Sequence, residues 1–205
     1  MLDQDETFQT TSIYEIIASM AIEKNRAKVY IDGANMLYSQ KKMGWNINWE
    51  KLRDYMKNEW DVLEIRYYTG IRENDERMRG FLKYLAHLDF VPVTKALKII
   101  KIGPEHPLYK IHNYREMHKS NFDVEMTTDV LTELLVGRDN PDHIKEVVLM
   151  TGDSDFKYLV DVLKKFGVGT SVIASKSTLS WELKFAAAKL IKLEDIKDGV
   201  EKKLE

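Results

Sequence analysis

The sequence predicts an α/β fold: a doubly wound, mainly parallel sheet flanked by helices. Three observations carry this. Short β-rich apolar runs alternate with helical stretches of about ten to fifteen residues, the pattern of βαβ crossovers. One run, Val147-Val148-Leu149-Met150, is apolar throughout, as in a strand covered on both faces. Turn residues follow two of the runs directly, at Asp32-Gly33-Ala34-Asn35 and at Thr151-Gly152-Asp153-Ser154-Asp155.

The elements follow in order. Residues 1–25 read as a helical extension, because Ile13, Ile16, Ile17, Met20 and Ala21 recur at helical spacing. It is expected to dock, to cap the main domain or to dimerise, so a homodimer is one expectation. Val29-Tyr30-Ile31 is the first strand, and Met36, Leu37 and Tyr38 open a short helix after its turn. Asn48 is placed to cap a helix whose stripe is Trp49, Leu52, Tyr55 and Met56. Val62 to Tyr68 is the second strand. Glu73 to Leu88 is a helix with Met78, Phe81, Leu82 and Leu85 on one face. Phe90 to Val93 is the third strand, which Leu97 to Ile102 should pair with or extend.

Residues 103–121 have no clear period and contain Gly103, Pro104 and Pro107, so a long loop is expected. Val124 to Val136 is a helix, its face formed by Val124, Thr127, Thr128, Leu131, Leu134 and Leu135. The Val147–Met150 strand leads through its turn into a helix ending at Phe166, with Gly167 at the C′ position. Val168 to Ala174 is a strand, Ser180 to Ala188 a helix and Leu190 to Leu193 a last short strand. Residues 195–205 read as a charged tail, and 26–194 as the domain.

Composition narrows the chemistry. The 205 residues suit one compact domain. There is no cysteine, which excludes disulfides, thiolate metal sites and a cysteine nucleophile. Net charge is −2, so a globally basic nucleic-acid binder is not indicated. The acidic N-terminus carries no secretion or membrane signal, and a cytoplasmic location is expected. Trp45, Trp49 and Trp60 are read as packing residues, and His87 and His143 as surface ones. No G-x-G-x-x-G after a strand, P-loop, G-x-S-x-G or H-E-x-x-H is present.

In an open parallel sheet, ligands bind beyond the carboxyl ends of the strands. Asp32 follows the first strand, and Asp153 and Asp155 follow Val147–Met150, so both groups leave the same edge. Asp123 opens the helix after the long loop. Asp129 lies six positions later, turned by about 120° at 100° per residue, yet within two turns of that edge. Each acid alone is an ordinary turn or N-cap residue. Together, convergent carboxylates repel unless a cation sits among them, and oxygen-only ligation suits Mg²⁺ or Mn²⁺. Such an ion can activate water and support phosphodiester displacement. Asn35 and Ser154 are polar helpers.

Three motifs in order carry a resemblance: Ile31-Asp32-Gly33-Ala34-Asn35; Lys119 followed by Phe122-Asp123-Val124 and Asp129; and Thr151-Gly152-Asp153-Ser154-Asp155-Phe156. From about Lys28 to Leu193 the chain resembles the NYN domain family of the PIN-like nuclease superfamily, in its LabA-like branch. The resemblance implies a PIN-like, Rossmann-like three-layer sandwich and a metal-dependent endoribonuclease. It carries Asp32, Asn35, Asp123, Asp129, Asp153 and Asp155 onto the family's site, with Asp32, Asp123 and Asp153 as metal ligands. Lys119-Ser120-Asn121-Phe122 departs from the pattern, which has a Gly nearer the Asp.

Between Lys95 and Lys119 stand six basic residues against two acids, interleaved with His106, His112, His118, Tyr109 and Tyr114. Cations there could track a backbone while rings stack on unpaired bases, so RNA is the expected partner, with Lys119 and Arg115 positioning it. The competing reading is a solvated loop. His118 is a further candidate for proton transfer. Two rival functions are a non-catalytic RNA-binding module and a haloacid-dehalogenase-type phosphatase. The latter wants Asp-x-Asp after the first strand, where this chain has Ala34.

Overall fold

A computed structural model describes residues 24–112, 116–137 and 143–203. Strands β1 (Arg26–Asp32), β2 (Asp61–Ile71), β3 (Phe90–Ala96), β6 (Glu146–Met150), β7 (Gly169–Ala174) and β8 (Lys189–Lys192) form one sheet in the order β3-β2-β1-β6-β7-β8. Every pairing in it is parallel. The order reverses between β1 and β6, the switch point of a doubly wound sheet, where a crevice opens at the strands' carboxyl ends. Ile31 pairs with Met150, so Asp32 stands level with Thr151 on adjacent strands.

Side-chain alternation explains the three layers. Val29 and Ile31 of β1, with Val148 and Met150 of β6, face one cluster. It contains Met36 of α1 (Gly33–Met43), Leu52 and Met56 of α2 (Trp49–Glu59) and Leu85 of α3 (Glu76–His87). Tyr30, Val147 and Leu149 point the other way. They meet Met126, Val130 and Leu134 of a helix at Asp123–Gly137 and Leu159 and Leu163 of one at Lys157–Lys165. Trp45, Trp49 and Trp60 are buried in the first cluster, which makes them packing residues as expected. Asn48 caps α2 by accepting from the Lys51 N–H at 3.1 Å.

The 103–121 segment is not a structureless loop. It contains α4 (Pro107–His112), and β5 (Glu116–Lys119) pairs antiparallel with β4 (Lys98–Lys101). Residues 98–101 therefore neither extend β3 nor pair with it. The cause is non-local: Lys98 pairs with Lys119 across a hairpin that no short-range pattern announces.

Helix α5 (Asp123–Gly137) forms as expected but turns a different face inward. Met126, Val130 and Leu134, four apart, are buried, while Val124 is 76% exposed and Leu135 is also exposed. Polar groups decide the rotation. Asp129 accepts from the Tyr68 hydroxyl at 2.7 Å and pairs with Arg66 at 3.0 Å, and Glu133 pairs with Lys28 at 2.6 Å. These partners all rise from β1 and β2, so the helix must present two acids to the sheet.

Helix α6 (Lys157–Lys165) ends at Phe166, and Gly167 follows with φ +73°, as its C′ role requires. Helix α7 (Trp181–Ala186) is capped by Ser180. Residues 195–203 do not trail away. After a 3₁₀ turn at Leu193–Ile196, α8 (Lys197–Val200) buries Val200, and the Lys202 N–H reaches the Asn46 carbonyl at 2.8 Å. His143 is half-buried rather than on the surface. No helix among the described residues is long and apolar enough to cross a membrane.

Candidate metal centre

Four carboxylates gather at the switch-point edge. Asp123, Asp153 and Asp155 each offer an oxygen, and these atoms lie within 4.8 Å of one another. Oxygens bound to one ion at about 2.1 Å lie at most about 4.2 Å apart, so the three stand close to the spacing that one ion requires. The donors are all hard anionic oxygens, so the set could hold a divalent cation.

Each acid has a local reason for its place. Asp32 ends β1 and caps α1: its Oδ1 accepts from the Asn35 N–H at 3.0 Å. Asp153 caps the 3₁₀ turn Ser154–Phe156, its Oδ1 accepting from the Asp155 N–H at 3.1 Å. Asp123 begins α5, and its N–H is held by Asn121 Oδ1 at 2.8 Å. The capping role and the convergence thus coexist in the same side chains.

Burial raises the Asp32 pKa above its ordinary value. The Asn35 and Ala34 N–H groups oppose that rise, and the Asp123 and Asp153 carboxylates add to it. Asp123 is raised for the same chief cause, with Asn121 opposing and Asp153, Asp155 and Glu125 adding. Burial is the chief cause of both shifts, and the neighbouring carboxylates add a smaller repulsion that a bound cation would relieve.

Asn35 joins the two turns. Its Oδ1 accepts from the Gly152 N–H at 3.1 Å. Thr151, to which spacing assigns no role, does the same. It is fully buried, donates to Asp32 Oδ2 at 3.4 Å and accepts from the Asp153 N–H at 3.2 Å. Nearby, the Ser39 hydroxyl of α1 lies 2.8 Å from that of Thr178, which ties the helix to the loop after β7. Only its position inside the Thr-Gly-Asp motif could have marked Thr151. At Gly33 a Cβ would lie 2.7 Å from the Tyr68 carbonyl oxygen, so glycine lets α1 start against β2.

Of the other expected site residues, Asp129 is drawn away to Tyr68 and Arg66 and does not stand among the three clustered oxygens. Ser154 is half-buried between Asp153 and Asp155, and its hydroxyl makes no side-chain hydrogen bond among the described residues. Arg115, the His118 and Lys119 side chains and the N-terminal segment 1–23 lie outside the described residues. The basic flank is partly spent internally. Lys95 binds Glu125 and the Asn121 carbonyl and lies 4.4 Å over the Phe122 ring. Lys110 pairs with Glu105 at 2.6 Å.

Comparisons agree with this architecture. The Low amplitude and bright protein LabA of Synechococcus elongatus is 28% identical over 185 residues, covering 89% of this chain and 91% of LabA. A crystal structure of a Vibrio parahaemolyticus protein of unknown function has the same fold. Its TM-score is 0.66 at 20% identity, over 89% of this chain and 99% of that one. The profile of the NYN domain matches residues 26–194, which contain every carboxylate of the centre. The chain therefore belongs to the NYN domain family, within the PIN-like nuclease-type domains.

Proposed function

We propose that this protein is a divalent-metal-dependent endoribonuclease, hydrolysing RNA phosphodiester bonds at the aspartate cluster. The observation that carries the reading is the triplet Asp123, Asp153 and Asp155, with Asp32 beside it at the sheet's switch point. Asp32 and Asp123 are both perturbed upward by burial and neighbouring carboxylates, and perturbed acids at a ligand-binding edge support a functional site.

Asp123, Asp153 and Asp155 would hold the cation, with Asp32 contributing charge from the strand end. When bound, Mg²⁺ or Mn²⁺ supplies a Lewis acid for the phosphoryl oxygens and a coordinated water of lowered pKa. Asn35 and Thr151 keep the two turns in register, so the carboxylates are held in place before substrate arrives. Ser154 has a hydroxyl to offer a phosphate oxygen or water. Arg115 and Lys119 are assigned to the RNA backbone on their sequence position alone.

The test is cleavage of a labelled single-stranded RNA with Mg²⁺ or Mn²⁺, and again with EDTA, beside matched single-stranded DNA. Asp153→Asn runs in parallel. RNA cleavage that needs both metal and Asp153 is the expected result. Cleavage persisting in EDTA or in Asp153→Asn overturns the mechanism. Binding without cleavage favours a non-catalytic module.

A further inference from the structure

The aspartate cluster has two halves. Asp153 and Asp155 belong to the turn after β6, which Thr151 and Gly152 tie to Asp32 and Asn35. Asp123 comes from the first turn of α5, and among the described residues no hydrogen bond joins it to that turn. Burial chiefly raises its pKa, and the Asp153, Asp155 and Glu125 carboxylates add to the rise, so its neighbours resist the approach. A contact outside the cluster must therefore set where α5 begins.

That contact comes from the carboxyl ends of β2 and β3. Lys95, paired with Gly70 across those strands, donates to the Asn121 carbonyl and pairs with Glu125 at 2.5 Å. Its ammonium lies 4.4 Å over the ring of Phe122, which is buried and meets Tyr68 edge-on at 5.8 Å. These residues are the start of the helix. The Phe122 carbonyl accepts from the Met126 N–H at 2.8 Å, and Asn121 Oδ1 accepts from the Asp123 N–H at 2.8 Å. Gly70 leaves the room, since a Cβ there would lie 2.5 Å from Ser120 Oγ. Lys95 does not complement the helix dipole, because a cation at an N-terminus meets its positive end. The Glu125 carboxylate offsets that charge, and its hydrogen bond from Lys95 holds it below the usual carboxylate range.

We infer that Lys95 is a positioning residue of the metal centre: by holding Asn121, Phe122 and Glu125 at once, it fixes Asp123 at the separation from Asp153 and Asp155 that one divalent ion requires. This inference rests on the metal-centre reading above and adds the element that assembles it. Partners that orient a metal ligand govern metal affinity by about 10–100-fold. Charge alone predicts the reverse, because removing a cation beside a carboxylate cluster tightens the binding of another cation. Positioning and simple electrostatics therefore differ in sign.

The test needs no RNA. Mn²⁺ affinity of the full chain is measured by electron paramagnetic resonance of the free ion, for wild type, Lys95→Met, Lys95→Arg and Asn121→Ala, with a melting curve of each. Expected is a loss of about tenfold or more in Lys95→Met and in Asn121→Ala. Lys95→Arg should recover most of it, since a guanidinium can serve both acceptors. Asn121 is exposed, so its variant keeps the test decisive should Lys95→Met fail to fold. Wild-type or tighter Mn²⁺ binding in either folded variant overturns the inference, even where the melting point drops, because the contact is then structural or merely electrostatic. A loss that Lys95→Arg does not recover overturns it as well. A wild type that binds no Mn²⁺ overturns it together with the metal centre. A wild type that binds Mn²⁺ in a Lys95-dependent way yet cleaves no RNA would sink the nuclease reading and leave this inference standing.

Discussion

The side-chain oxygen of Asn35 accepts a hydrogen bond from the Gly152 N–H at 3.1 Å, across 117 residues of chain. It ties the turn after β1 to the turn after β6, the two strand ends that flank the switch point. Asn35→Ala should therefore leave a buried N–H unpaired, at a cost of about 1–3 kcal/mol. At roughly 2–4 °C per kcal/mol for a chain of this size, calorimetry should show a clear drop in Tm. Cleavage should fall with it, because the turns would no longer hold Asp32 and Asp153 in register.

Removing one of the clustered charges should act in the opposite direction on stability. In EDTA, Asp123→Asn or Asp153→Asn should melt no lower than wild type, and up to about 1 kcal/mol more stably, because repulsion is relieved. Added Mn²⁺ should raise the Tm of wild type but not of these variants. A variant that melts well below wild type in EDTA would show the acid to be structural instead.

Asp32 gives a pH test with a definite sign. Its folded pKa is raised, so between the ordinary carboxylate value near 4 and the raised value the native state binds the more protons. Stability of the metal-free protein must then fall as pH rises through that window. Asp32→Asn should remove this loss. The Tm difference between Asp32→Asn and wild type should grow in favour of the variant from about pH 4 upward, then level off. A difference independent of pH would place the ionised Asp32 at no disadvantage in the fold.

Asp129 should behave as a packing residue. Asp129→Ala would strand the buried Tyr68 hydroxyl and leave Arg66 with Glu64 as its remaining acid, costing about 1–3 kcal/mol, while binding of Mn²⁺ stays near the wild-type level. Parallel melting curves and metal titrations decide it. A tenfold loss of metal affinity would return Asp129 to the centre.

Gly152→Ala should be costly through backbone crowding, since a Cβ there collides with the Thr178 carbonyl. A loss of about 1–3 kcal/mol is expected from denaturant unfolding. Serine at this position should be no better tolerated.

Much of this molecule is local, and so legible in the chain. The unbroken apolar run 147–150 reads as a strand covered on both faces, and Asp32 and Asp153 are turn and cap residues by their own short-range chemistry. The helix at 123–137 is likewise set by propensity and period. Its orientation is not. Asp129 and Glu133 are acids that a periodic reading sends to solvent, yet Arg66, Tyr68 and Lys28 draw them inward. The pairing of β4 with β5 is equally hidden, because neither strand has an apolar face of its own to demand burial.

The order of elements and the ends at which the acids emerge are written in the chain, because strand and turn chemistry act over a few residues. Which acids meet is set by contacts between distant segments. Parallel pairing of β1 with β6 sets Asp32 level with Thr151, and the start of α5 brings Asp123 to Asp153 and Asp155, while Tyr68 holds Asp129 away. Carboxylates repel at long range and gain nothing by approaching. Their meeting is imposed by the burial of apolar side chains elsewhere in the sheet.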